Sequence, residues 1–132
     1  MIFDTSFIID IMSGNKAAIE KLGESIGKGE PEVVTAPTIF ELFSGLAQSS
    51  KQELERKKII SVLSRVAVLQ LEISAAERGG EIDGMLTKAG EQIDPIDSMI
   101  AGIAIKNNKG ILTNDGHFAR IEGLKIEKYK DE

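Results

Sequence analysis

The chain contains no cysteine and no tryptophan, and among its 132 residues there are only three prolines, one tyrosine and one histidine. Without thiols there is no disulfide, no thiolate metal centre and no cysteine nucleophile. Long apolar runs are also missing. None approaches the ~18–20 residues that a membrane span requires, so no membrane partner is expected. Positive charge is in the minority, with 16 Lys and Arg against 21 Asp and Glu and a net charge of −5. That balance argues against a protein that holds nucleic acid mainly through its phosphates. A nuclease is still allowed, because bound cations reverse the local field around acidic groups. The opening Met1-Ile2-Phe3-Asp4 lacks a basic segment ahead of an apolar one, so no secretory leader is expected. The absence of cysteine fits a cytoplasmic location.

What remains is an ordinary globular composition, 42% apolar and 28% charged. We read residues 1–132 as one domain, since no repeat, low-complexity tract or linker interrupts them. Ile2-Phe3 reads as a short buried strand, followed by a helix over Thr5 to Met12. A second helix spaces Ala17, Ala18, Leu22 and Ile26 at helical intervals and ends at Gly27-Lys28-Gly29. Val33 to Ala36 is a second strand. Pro37 then suits a first helical position, and Ile39, Phe40, Leu42, Phe43 and Leu46 are expected to form a broad buried face around Glu41. A charged helix from about Lys51 turns Leu54, Ile59, Val62 and Leu63 inward. After a third strand at Val66 to Leu69, Ser74-Ala75-Ala76-Glu77 matches a capping box for a helix running to about Lys88. Asp94-Pro95-Ile96-Asp97 opens the next helix. Ile111-Leu112-Thr113 is a fourth strand, Asp115 to Arg120 a short helix, and Leu124 to Lys128 an edge strand. This alternation argues for an α/β fold with a parallel sheet covered on both faces.

Asp4, Glu41, Asp97 and Asp115 each fall where a strand-like run gives way to a helix, or within a turn or so of that point. In an open parallel sheet such positions converge along one edge. Taken singly, each has an ordinary structural role. Asp4 caps a helix, Asp97 and Asp115 sit at helix N-termini that favour negative charge, and Glu41 finds a basic partner. Taken together they are costly, since two carboxylates about 4 Å apart repel by ~4 kcal/mol at an effective dielectric near 20. A hard divalent cation, Mg²⁺ or Mn²⁺, relieves that cost and suits an all-oxygen ligand set. Such a centre can drive phosphodiester hydrolysis. Thr5, Ser6, Thr113 and Asn114 flank these acids and can bond either a carboxylate or a substrate phosphate. His117, beside Phe118, reads as a partly exposed packing residue rather than a general base.

Four segments together resemble the PIN-domain ribonucleases of the VapC type. They are Ile2 to Asp10, Pro37 to Gly45, Pro95 to Ala101 and Ile111 to Phe118, in that order and at those intervals over nearly the whole chain. The resemblance implies a three-layer α/β/α sandwich around a parallel five-stranded sheet. It implies that Asp4, Glu41, Asp97 and Asp115 bind Mg²⁺ or Mn²⁺. It further implies RNA as substrate, a metal-activated water as nucleophile, a homodimer, and an antitoxin protein that inhibits by entering the active-site groove. Asp4, Asp97 and Asp115 would hold the principal ion, with Glu41 either handling the attacking water or sharing a second ion. One departure stands out: some relatives carry a further acid two residues beyond the fourth, and here that position is His117. Asp94 is a candidate substitute ligand, or simply the cap of its helix. Two competing classes are a PIN nuclease of RNA processing or quality control, and a catalytically silent module whose acidic pocket holds a basic peptide. A phospho-receiver domain distributes its acids differently along the strands and does not match.

Overall fold

The computed structural model describes residues 1–129; the last three residues of the expected domain lie outside the described span. Five short strands form one sheet: β1 (Ile2–Phe3), β2 (Val33–Thr35), β3 (Ala67–Leu69), β4 (Ile111–Leu112) and β5 (Ile126–Glu127). Their order is β3-β2-β1-β4-β5, and every neighbouring pair is parallel. Six helices connect them: α1 (Thr5–Met12), α2 (Lys16–Gly27), α3 (Ala36–Ala47), α4 (Gln52–Leu63), α5 (Ile73–Lys88) and α6 (Pro95–Lys106). A 3-10 helix over Gly116–Arg120 follows β4.

Strand side chains alternate between faces, and here the alternation separates two cores. Ile2, Val33 and Ile111 point to one side, where Ala75 and Ile82 of α5, Ile100 and Ile103 of α6, and Phe118 cover them. Phe3, Val34 and Leu112 point to the other, against Phe7, Ala18, Leu42 and Ile59 from α1 to α4. The result is the expected three-layer sandwich with a five-stranded parallel sheet.

Several local expectations are corrected. Phe40 is 64% exposed and Leu54 is 51% exposed, so neither belongs to the core. Both sit on helix faces turned from the sheet, and an apolar side chain alone does not decide burial. Ala36 begins α3 instead of ending β2, with Thr35 as the cap, so Pro37 occupies the second helical position. The Ser74 to Glu77 capping box is not formed. Glu72 is the N-cap residue of α5 and makes no side-chain cap bond, because the chain turns helical one step before Ser74. The β3 strand lies at the sheet edge with Ala67 and Val68 exposed.

One contact fixes the helix that carries Asp97. A Cβ added at Gly102 of α6 would lie 2.4 Å from the Ala75 carbonyl oxygen and 2.7 Å from the Gly79 nitrogen of α5. A Cβ at Gly79 would lie 2.9 Å from the Ser98 carbonyl oxygen. The two backbones meet face to face there, and only glycine allows it.

Candidate active site

The chain runs outward from β1 to β2 and β3, then returns to place β4 on the opposite side of β1. The connections therefore diverge between β1 and β4, which opens a crevice beyond the carboxyl ends of those strands. Asp4 leaves β1 and Thr113 leaves β4 at that point, and the Asp4 N–H donates to the Leu112 carbonyl at 3.2 Å.

Asp4 occupies the N-cap position of α1 but makes no side-chain cap bond. Its carboxylate is only 3% exposed and instead accepts the hydroxyls of Ser6 and Thr113, both at 2.8 Å. The ordinary capping role thus fails for Asp4. It holds for Asp94, which accepts the Ile96 N–H at 2.8 Å, and for Asp115, which accepts the His117 N–H at 2.8 Å. Thr113 is fully buried and also accepts the Asp115 N–H at 2.9 Å.

Glu41 reaches the site from the second turn of α3. The Thr5 hydroxyl donates to its carboxylate at 2.5 Å. Behind Thr5 stands a chain of hydroxyls that the acidic pattern did not announce. Thr5 and Thr38 oxygens are 3.1 Å apart, and Thr38 and Thr35 oxygens 3.3 Å apart. Thr35 and Thr38 are fully buried. Each hydroxyl has one proton, so with Thr5 donating to Glu41, Thr38 donates to Thr5 and Thr35 to Thr38. Thr35, Thr38 and Glu41 recur every three residues from the end of β2 into α3, a polar series in an otherwise apolar segment. That spacing was the available signal.

Electrostatics bind the four acids into one group. Burial pushes the Asp97 carboxyl up to about 7, helped by the negative charges of Asp4, Asp115, Glu41 and Asp94. Glu41 is raised as well, first by burial and then by Asp4 and Asp94, with the Thr5 hydroxyl opposing. Among the described residues, no Lys or Arg forms an ion pair with any of the four; the cationic partners go to Glu24, Glu127, Glu53, Glu32 and Glu81. Asp97, Asp115 and His117 each bring one ligand atom within 4.8 Å of the others. A like-charged set, with Asp4 buried and Glu41, Asp97 and Asp115 partly buried and no Lys or Arg paired to it, fits a divalent cation by its donor chemistry. The His117 side chain is 56% exposed, as a partly exposed residue should be, yet its Nδ1 faces Asp115 Oδ1 at 3.0 Å.

Ser6, Thr5 and Thr113 thus serve the carboxylates. Asn114 has a different partner, since its side-chain oxygen accepts the Tyr129 N–H at 2.9 Å. The Tyr129 hydroxyl donates to Asp10 of α1 at 2.5 Å and its ring stands edge-on to Phe7. Asn114 therefore ties the segment after β5 to the rim of the crevice.

The chain belongs to the PIN-domain family, whose model matches residues 1–124, and within that family to the VapC type. It is 30% identical over 128 residues to a tRNA(fMet)-specific endonuclease VapC of Shigella flexneri, covering 96% of this chain and 95% of that one. In structure it is similar to VapBC2 from Rickettsia felis bound to a promoter DNA fragment. There the TM-score is 0.87 at 26% identity, covering 98% of this chain and 100% of the other. It is likewise similar to DNA-bound VapBC from Salmonella typhimurium, with a TM-score of 0.85 at 27% identity over 98% and 97% of the two chains.

Proposed function

We propose that this chain is a divalent-metal-dependent endoribonuclease and the toxin of a toxin–antitoxin pair. One observation carries the reading: four carboxylates gather at the β1–β4 crevice of a VapC-type PIN fold with no Lys or Arg paired to them. Asp4, Asp97 and Asp115 would hold the cation, Mg²⁺ or Mn²⁺. When bound, that ion supplies charge neutralisation on the scissile phosphate and lowers the pKa of water to a usable range.

The residues of the chain supply the rest. Asp4 is held by the hydroxyls of Ser6 and Thr113, both bonded to Oδ2. Glu41, whose carboxyl is raised by burial and bonded by the Thr5 hydroxyl, would position or deprotonate the attacking water, or share a second ion. Attack by water leaves a 5′-phosphate and a 3′-hydroxyl and does not use the RNA 2′-hydroxyl.

An antitoxin is the proposed protein partner, and a homodimer the proposed assembly. Ile9 and Glu41 line a cleft of about 230 Å³ together with Met12, Leu42 and Ile59. An apolar segment seated there would lie against Glu41. Among the described residues no helix is long and apolar enough to cross a membrane.

The test is cleavage of RNA by the purified chain on addition of Mg²⁺ or Mn²⁺. Asp4→Ala should abolish cleavage while the variant still folds. Cleavage that persists in Asp4→Ala would contradict the assignment.

A further inference from the structure

The departure from the resembled pattern at residue 117 has a structural counterpart. The short 3-10 helix folds the ring of His117 back over the cap residue Asp115, with Nδ1 3.0 Å from Oδ1. Ligand atoms of Asp97, Asp115 and His117 lie within 4.8 Å of one another. Adjacent ligands about 2.1 Å from a six-coordinate ion stand about 3 Å apart, so this nitrogen and oxygen already have the spacing of neighbouring ligands. The imidazole is more than half exposed, while its neighbour Phe118 takes the buried position.

We propose that His117 is a nitrogen ligand of the centre it shares with Asp97 and Asp115, and that it shifts the centre's preference from Mg²⁺ toward late first-row divalent cations. The inference rests on the metal-dependent reading above and deepens it. A carboxylate at position 117 would complete an all-oxygen set of the kind Mg²⁺ prefers. An imidazole gives little to Mg²⁺, which keeps its water ligands, but bonds well to Co²⁺, Ni²⁺ and Zn²⁺. His117 thus exchanges a charge-based ligand for a softer one without adding to the crowding of negative charge at Asp97.

The experiment titrates Co²⁺ alone and Mg²⁺ alone into the full chain, His117→Ala and His117→Asp, read by calorimetry and by the visible absorption of bound Co²⁺. Co²⁺ outranks Mg²⁺ even at carboxylate sites, so the change between variants is the readout. His117→Ala should weaken Co²⁺ binding about 10-fold or more and alter its spectrum, while Mg²⁺ affinity stays within about twofold. His117→Asp should strengthen Mg²⁺ relative to Co²⁺. Equal Co²⁺ affinity and an unchanged spectrum in His117→Ala would overturn the imidazole ligand and leave the metal-dependent reading standing. Failure of both ions to bind the unaltered chain would overturn that reading, and this inference with it. Metal-free melting curves that match across the three proteins establish that the comparison is between folded chains.

Discussion

The Thr113 hydroxyl donates to the Asp4 carboxylate over 2.8 Å and joins residues 109 positions apart in the chain. The same oxygen accepts the backbone N–H of Asp115. A single buried hydroxyl therefore ties the first carboxylate to the backbone of the fourth acidic residue, and it does so where β1 and β4 lie side by side.

Thr113→Val keeps the shape of that side chain and removes both bonds. Leaving a buried carboxylate and a partly buried N–H short of a partner should lower stability by ~1–3 kcal/mol. Misplacing two ligands should also cost up to about 100-fold in kcat. Thr113→Ser should recover most of both. Thermal melts and single-turnover RNA cleavage check the two effects separately.

Asp97→Asn should abolish cleavage yet make the metal-free protein more stable. The folded Asp97 carboxyl titrates at about 7 against an ordinary 3.8, mainly through burial and then through its acidic neighbours. The folded state therefore binds this proton more tightly than the unfolded state. As pH rises from 3.8 toward 7 the wild type loses stability, and above 7 the penalty is complete. Because Asp97 is only half-buried, solvent screening reduces the effect to ~1 kcal/mol, or about 3–6 °C in Tm. The gain from Asn should be largest at pH 8 and vanish near pH 4. Adding Mg²⁺ or Mn²⁺ should raise the wild-type Tm and leave the variant nearly unmoved.

Thr38→Val tests the hydroxyl chain behind Glu41. Thr38 is fully buried, touches no substrate, and acts through Thr5. Loss of its hydroxyl should reduce kcat by about tenfold with little change in KM, because Glu41 loses its fixed orientation and RNA binding does not depend on it. Thr38→Ser should restore the rate. A Ser variant as slow as Val would mean that the methyl group, and not the hydroxyl, is what the site requires.

Gly102→Ala probes the seat of Asp97. The new Cβ would meet the Ala75 carbonyl at 2.4 Å, which α5 and α6 must separate to relieve. Overpacking of this kind costs ~1–3 kcal/mol. Denaturant melts should show that loss, and cleavage should fall as Asp97 moves with its helix.

Much of this arrangement was legible in the sequence, for particular physical reasons. Ile2-Phe3, Val33-Val34 and Ile111-Leu112 are short apolar runs closed by a polar residue, so strand ends and the acids after them could be located together. The order of helices and strands then implied the parallel sheet, and the resemblance at Asp4, Glu41, Asp97 and Asp115 implied the family. Burial was less legible. Phe40 and Leu54 read as core because hydrophobicity does not say which helix face meets the sheet, and both are exposed. The partners of the acids were hidden as well. Thr113 and Asp4 are neighbours only after the sheet forms, and the Thr35–Thr38–Thr5 chain links β2, α3 and α1 in space. His117 read as a packing residue because its approach to Asp115 depends on the tight 3-10 turn.

The central claim is that a divalent ion held by these carboxylates drives hydrolysis of RNA by water. The ends left on the cut RNA test it most directly, with the reaction run in chelator and again after Mg²⁺ or Mn²⁺ is restored. The account predicts no cleavage in chelator, and on restoration a 5′-phosphate and a 3′-hydroxyl at every cut. Cleavage that persists in chelator, or a 2′,3′-cyclic phosphate at the cut, would contradict it.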